Sequence, residues 1–283
     1  MVLILVSVAL AVQVAALILE TIRRNELPPI PRIIWSYWND KKLPPLIQKC
    51  VDSWKRHMPG YTIRMLSDDN LGTYMDTSLL SLPWVQTHQL RSDVIRLAIL
   101  AKHGGIWSDA SIIMYGKHPL QDAIESNKYE FIGYNNTTGP IKTSFPYVES
   151  FYFAARPKSM IVQLWKAAFI DMFPNVSISE RADLMLNKVG VEQGNVHLPE
   201  YLYVYIAMNL VTQTLLPPEY FKEHTYMQPV DNGNVYEYQI RTNWSSTAMK
   251  MLADTPEDQR PRVVKITRGD RHEIEKQNLV DFI

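Results

Sequence analysis

Asp93, Arg96, Asp109 and Ser111 are the residues whose types and spacing suit chemistry on a polar ligand. They share one stretch, Leu90 to Ser111, which reads LRSDVIRLAILAKHGGIWSDAS. Asp93 and Arg96 stand at i and i+3, so a helix would make them neighbours. A carboxylate accepts hydrogen bonds and a guanidinium donates them, which suits a ligand rich in hydroxyls or phosphates. Asp109 follows a short apolar segment, Ile106–Trp107, and strand ends are where open α/β sheets collect ligands. On these residues alone a plainer account stands beside that one: a helix-surface ion pair worth ~0.2–0.5 kcal/mol, and a turn residue after a strand.

The elements that must position these groups follow from patterning. Leu90, Val94, Leu97 and Ala101 recur on one helical stripe, with Arg91, Ser92, Asp93 and Arg96 off it, so an amphipathic helix is expected. Gly104–Gly105 should end it through a left-handed cap. Ile33–Trp38 reads as a first buried strand, Leu46–Met58 as a helix stopped at Pro59–Gly60, and Tyr61–Leu66 as a second strand. Asp68–Asp69–Asn70 reads as the cap of a following helix. Ile112–Tyr115 should continue the extended run. Phe131–Tyr134 and Ser150–Ala155 read as strands, and Asn135–Pro140 as a loop. Ser159–Phe173, Tyr201–Thr214 and the short Trp244–Leu252 read as helices. Asp231–Asn234 reads as a turn, and Val263–Thr267 as a late strand. Strands alternating with helices imply an α/β fold with a mixed, mainly parallel central sheet.

Composition narrows the class. Lys plus Arg equals Asp plus Glu at 29 each, which gives no support to nucleic-acid binding. Cys50 is the single cysteine, so an internal disulfide framework and a cysteine metal cluster are excluded. No Walker loop, dinucleotide glycine fingerprint, His-Glu-Xaa-Xaa-His pair or Gly-Xaa-Ser-Xaa-Gly elbow is present.

The ordered set Ser92–Asp93, Arg96, Gly104–Gly105, Trp107 and Asp109–Ala110–Ser111 resembles a known family. It is similar to the sugar transferases with an Asp-Xaa-Asp motif, in their capsular-polysaccharide-synthesis branch, related to α-mannosyltransferases and the large clostridial glucosylating toxins. The resemblance implies a GT-A-type, Rossmann-like nucleotide-sugar-binding domain. It implies a glycosyltransferase moving a sugar from a UDP- or GDP-sugar to a glycan or polysaccharide acceptor, with retention of anomeric configuration. It also implies a divalent cation, Mn²⁺ or Mg²⁺, held by Asp109 and Ser111 on the departing diphosphate. Ser111 replaces the second carboxylate of the commoner motif, which keeps a non-catalytic nucleotide-sugar- or glycan-binding protein of the same fold as the alternative.

Further roles follow from the same resemblance. Asp93 and Ser92 would meet ribose and sugar hydroxyls, and Arg96 the sugar or diphosphate, with Asp109 and Arg96 catalytic. Trp35 would stack on the base, as aromatic faces do; a core tryptophan explains it equally well. Trp38 reads as core. Lys265, in Val-Lys-Ile-Thr, would neutralise diphosphate charge or serve as an ordinary surface lysine. Glu149 would lie near the acceptor or in an exposed loop.

Val2–Leu19 is almost wholly apolar and close to the ~17–25 residues that span a bilayer. Residues 1–20 are therefore expected to form a single-pass membrane anchor, 21–31 a linker and 32–283 the transferase domain. Arg23 and Arg24 place the domain on the cytoplasmic side by the positive-inside rule. Glycosylation sequons at Asn135, Asn136, Asn175 and Asn243 favour the Golgi or ER lumen, and the side stays open.

Overall fold

The computed structural model describes residues 28–136, 147–194, 196, 198–231 and 235–283. The expected anchor and most of the linker, the 137–140 part of the loop and the 232–234 part of the turn lie outside these residues. Among the described residues, no helix is long and apolar enough to cross a membrane.

Among the described residues, eight strands form two sheets: β1 Ile33–Tyr37, β2 Thr62–Leu66, β3 Gly105–Ser108, β4 Ile112–Met114, β5 Phe131–Asn136, β6 Tyr147–Ala155, β7 Thr225–Pro229 and β8 Val263–Lys265. The central sheet has the order β2-β1-β3-β6-β5-β7. β1 runs parallel to β2 and β3, β6 is antiparallel to β3 and β5, and β5 is parallel to β7. The sheet is thus mixed and mainly parallel, as expected. Asn135 and Asn136, expected in a loop, extend β5 instead, and Asn136 is buried.

Side chains alternate across this sheet because successive Cβ atoms point to opposite faces. Trp35, Trp107, Phe131 and Phe153 enter one apolar core, while Ile34, Ile106, Ile132 and Ala154 enter another. Both faces are therefore covered. The helix His88–His103 lies in the first core and is buried continuously from Asp93 to Ala101. This corrects the amphipathic expectation: between its first and last turns the helix is covered on all sides, so Asp93 and Arg96 are interior groups rather than a wet face. Thr87 caps its start by accepting from the Leu90 amide at 3.1 Å.

The helix ends at Gly104 with φ 62° and ψ −160°, an extended mirror-image conformation rather than the expected left-handed cap. A Cβ there would lie 2.4 Å from the Pro157 nitrogen, and one on Gly105 2.8 Å from the Ile33 carbonyl. The pair lets the chain turn sharply from the helix into β3 while β1 lies hard against it.

The extended run does not continue past Ser111 in one sheet. The chain turns at Asp109–Ser111, with the Ile112 amide donating to the Asp109 carbonyl at 3.1 Å, and changes sheets. β4 pairs antiparallel with β8 in a separate ribbon, register Ile112↔Lys265, Ile113↔Val264 and Met114↔Val263. The helix Pro45–His57 anchors that ribbon. Trp54 Nε1 donates to the Ile112 carbonyl at 2.7 Å, and Ser53 Oγ accepts from the Met114 amide at 2.9 Å.

Candidate functional site

The sheet change leaves Asp109 at the C-terminal end of β3, where the chain leaves the central sheet. Its amide is held by the Phe151 carbonyl at 2.8 Å. Its carboxylate is partly exposed, at 22%. Oδ1 accepts from Arg96 Nη2 and from Trp107 Nε1, both at 3.0 Å, and Oδ2 accepts from Lys265 Nζ at 2.6 Å. Lys265 Nζ also donates to Ser111 Oγ at 3.3 Å. The β4–β8 register delivers Lys265 here, across 156 residues of sequence from Asp109.

Arg96 reaches Asp109 from the buried helix. It lies 3.2 Å from Asp93 Oδ1, with side-chain exposures of 6% and 2%, so the pair is interior and not the surface ion pair of the plainer account. Nη2 also donates to Ser92 Oγ at 3.3 Å, and Nη1 to the Ser150 carbonyl at 2.9 Å and to its hydroxyl. Among the described residues, two buried atoms of the set have no hydrogen-bond partner: Asp93 Oδ2 and Arg96 Nε.

Glu149 joins the same network rather than an exposed loop. It is buried, and accepts from Asn136 Nδ2 at 2.9 Å and from the Tyr205 hydroxyl at 3.0 Å. Ser150 Oγ donates to that same hydroxyl at 3.4 Å, linking Glu149 to Arg96. Ser150 and Tyr205 were not singled out from the sequence. Tyr205 sits in an apolar helix, where it reads as packing.

Charge and burial set the protonation of these groups. Burial pushes the Asp93 carboxyl up to about 7 despite Arg96, with Asp109 adding to the rise. Burial also raises Glu149. At Asp109 burial pulls upward, but Lys265 and Arg96 outweigh it and hold the carboxyl below its ordinary value. Burial lowers Lys265, with Asp109 opposing the change. Near neutral pH the edge therefore carries one firmly ionised carboxylate beside two or more cations, an arrangement suited to anions.

Of the two readings of Trp35, the structure supports the core one. Trp35 is only 2% exposed, donates to the Gly104 carbonyl at 2.9 Å, and packs against Tyr74 and His103. With its ring enclosed and aimed at the opposite end of β3 from Asp109, Trp35 is a core residue and not a stacking platform. Trp38 lies one residue past β1, half-buried, with the Arg271 guanidinium 5.9 Å from its ring. Asp68 caps no helix. It accepts from the Tyr37 hydroxyl at 2.7 Å and from Arg91 Nη2 at 2.9 Å, tying β1 to the buried helix. A cavity of about 630 Å³ opens beyond the C-terminal ends of β1 and β2, between Asp40–Leu43 and Met65–Asn70.

Asp109 and Ser111 do not fit a divalent cation in this arrangement. Both carboxylate oxygens already accept from charged donors, and the Lys265 ammonium stands in the gap between Asp109 and Ser111. Like charges this close in a partly dry site repel strongly. Among the described residues, no group of three or more His, Cys, Asp or Glu could hold a metal ion.

These features define an α/β protein with a polar, cation-rich site at the C-terminal edge of the parallel strands. Residues 14–181, more than half of the chain, match the capsular polysaccharide synthesis protein family, and the chain belongs to it. It is 27% identical over 160 residues to the glycosyltransferase afumC of Aspergillus fumigatus, covering 49% of this chain and 39% of that one. It is 28% identical over 99 residues to the O-glycosyltransferase braB of Annulohypoxylon truncatum, covering 29% and 23%. The matches thus span well under half the length of these curated relatives. Among solved structures, the glycosyltransferase GlyE of Streptococcus pneumoniae aligns at TM-score 0.39 and 12% identity, over 89% of this chain and 62% of its own. The PaToxG glycosyltransferase aligns at 0.42 and 13%, over 97% and 98%.

Proposed function

We propose that this chain is a glycosyltransferase that binds a nucleotide-sugar at the β1–β3 edge and passes the sugar to a glycan acceptor. One observation carries the reading. Ser92, Asp93, Arg96, Asp109 and Ser111 from one local stretch meet Lys265 from β8 at one strand end, and among the described residues Asp93 Oδ2 and Arg96 Nε are buried without hydrogen-bond partners. Buried polar groups are ordinarily satisfied, so these two unmet atoms behind the charged edge support a functional site over a purely structural network. Family membership and the names of the curated relatives support the same reading.

In this account the cavity beyond β1 and β2 takes the nucleoside, with Trp38 beside the base. Asp93 and Ser92 meet hydroxyls, and Arg96, Lys265 and Arg271 face the diphosphate. During transfer the anomeric C–O bond breaks and its electron pair leaves with the diphosphate oxygen. The acceptor hydroxyl oxygen bonds to the anomeric carbon and gives up its proton. Cations already in place at the leaving oxygen lower that barrier without reorganising. Retention of configuration comes from the family resemblance, and the anomer of the product reads it out. We also assign residues 1–20 to a membrane anchor; a chain lacking residues 1–24 should then keep its nucleotide binding.

The test is a panel of UDP- and GDP-sugars, each with and without oligosaccharide acceptors, scored for released nucleoside diphosphate and for elongated acceptor. Release that requires an acceptor is expected. Binding without release on any donor would favour the non-catalytic alternative.

A further inference from the structure

Arg271 is a cation that the sequence reading left unused. It lies on the helix Arg268–Lys276, which directly follows β8, and the Ile266 amide between them donates to the Ser111 carbonyl at 2.9 Å. The start of that helix is thereby tied to the Asp109–Ser111 turn. Asp270 closes the helix cap with Thr267 and accepts from Gln239 Nε2, so it is committed locally. Arg271 is different. Among the described residues its guanidinium forms no hydrogen bond or ion pair, its ring neighbour is Trp38, and it lies within the field of Asp109.

We propose that Lys265 and Arg271 together take the place of a divalent cation at this edge, so that the chain binds a nucleoside diphosphate without metal. This rests on the nucleotide-sugar reading above and departs from the metal-assisted scheme that the resemblance implies. The charge count matches: an ammonium and a guanidinium supply the two positive charges that a divalent ion would bring. The geometry matches as well. Lys265 Nζ is held by Asp109 Oδ2 at 2.6 Å and Ser111 Oγ at 3.3 Å, the two groups expected to ligate the metal. An ammonium has three donors, and two are engaged here, which leaves one for a phosphate oxygen. Ser111 in place of a second carboxylate fits this arrangement. It accepts from the lysine without adding a negative charge that would oppose the diphosphate. Asp109 then becomes a positioning residue, aiming Lys265 and Arg96 at one point.

The experiment is a calorimetric titration of the full chain with UDP and with GDP, once in excess chelator and once in excess Mn²⁺. The dissociation constant should agree within about twofold between the two conditions. Lys265→Met should weaken the diphosphate by at least about tenfold while leaving uridine or guanosine unchanged, and Arg271→Met should do the same more weakly. Should Lys265→Met fail to fold, the chelator comparison on the unaltered chain still decides. Binding of the unaltered chain at least about tenfold weaker in chelator than in Mn²⁺ would overturn the metal-free proposal and leave the nucleotide-sugar reading standing. Absence of binding by either nucleotide in both conditions would overturn the nucleotide-sugar reading itself, and this proposal with it.

Discussion

Arg96 and Arg181 are both buried arginines, and they are held in opposite ways. Arg181 donates to three backbone carbonyls, those of Val176 at 3.0 Å, Phe169 at 2.8 Å and Phe173, and its guanidinium lies 4.3 Å from the Trp84 ring centroid. Its donors are spent on ends of the chain's own turns, and burial lowers its pKa to about 10. Arg96 is spent on Asp93, Asp109, Ser92 and Ser150, and its Nε has no partner. A buried charge is therefore no marker of function by itself. The distinction lies in whether the partners are backbone that must be satisfied for folding, or side chains that present charge to a partly open edge.

That contrast can be broken by substitution. Arg181→Met strands three buried carbonyls, and we expect a loss of about 3–5 kcal/mol of stability, read from chemical denaturation. The nucleotide affinity of the remaining folded fraction should be unchanged. Arg96→Lys keeps a cation beside Asp109 but loses the fork that also reaches Ser150. Donor turnover should fall about 100-fold, with a stability loss of only about 1 kcal/mol. Equal stability losses in the two variants would erase the distinction.

A smaller effect sharpens it. Asp93 has a folded pKa raised to about 7 by burial, against about 4 in an unfolded chain. In that window the unfolded state has lost a proton that the folded state keeps, so stability falls as pH rises from about 4 to about 7. Asp93→Asn removes this titration. The variant should gain up to about 4 kcal/mol relative to the parent as the pH rises across that window, measured as the difference between paired denaturation curves. A constant difference at all pH values would show that Asp93 titrates alike in the folded and unfolded chains.

Much of this site was legible in sequence because its core is local. Ser92, Asp93, Arg96, Gly104–Gly105 and Asp109–Ser111 sit in one stretch, and their order points to a strand-end site. Lys265 was legible only through the family resemblance of Val-Lys-Ile-Thr, because its arrival depends on a register between β4 and β8 that no local pattern encodes. Periodicity misjudged the His88–His103 helix because it sees the apolar stripe and not a second layer covering the polar side. Trp35 lies within β1 and Trp38 one residue past its end, a boundary that the run Ile33–Trp38 does not mark. Which of them is enclosed depends on Tyr74 and His103, far from either. The change of sheet after Asp109 hid inside what looked like a continuing extended run, and it is the feature that leaves the carboxylate at the open edge.

The central claim is that Asp109 organises the cations that face a departing diphosphate. The most direct test is donor turnover by Asp109→Asn beside the unaltered chain, on whichever nucleotide-sugar proves active, with the melting curve and nucleoside affinity recorded in parallel. The account predicts a fall of at least about 100-fold in turnover, a melt that stays cooperative, and nucleoside binding changed by less than about tenfold. Unchanged turnover would contradict it, because Arg96 and Lys265 would then act without the carboxylate that holds them together.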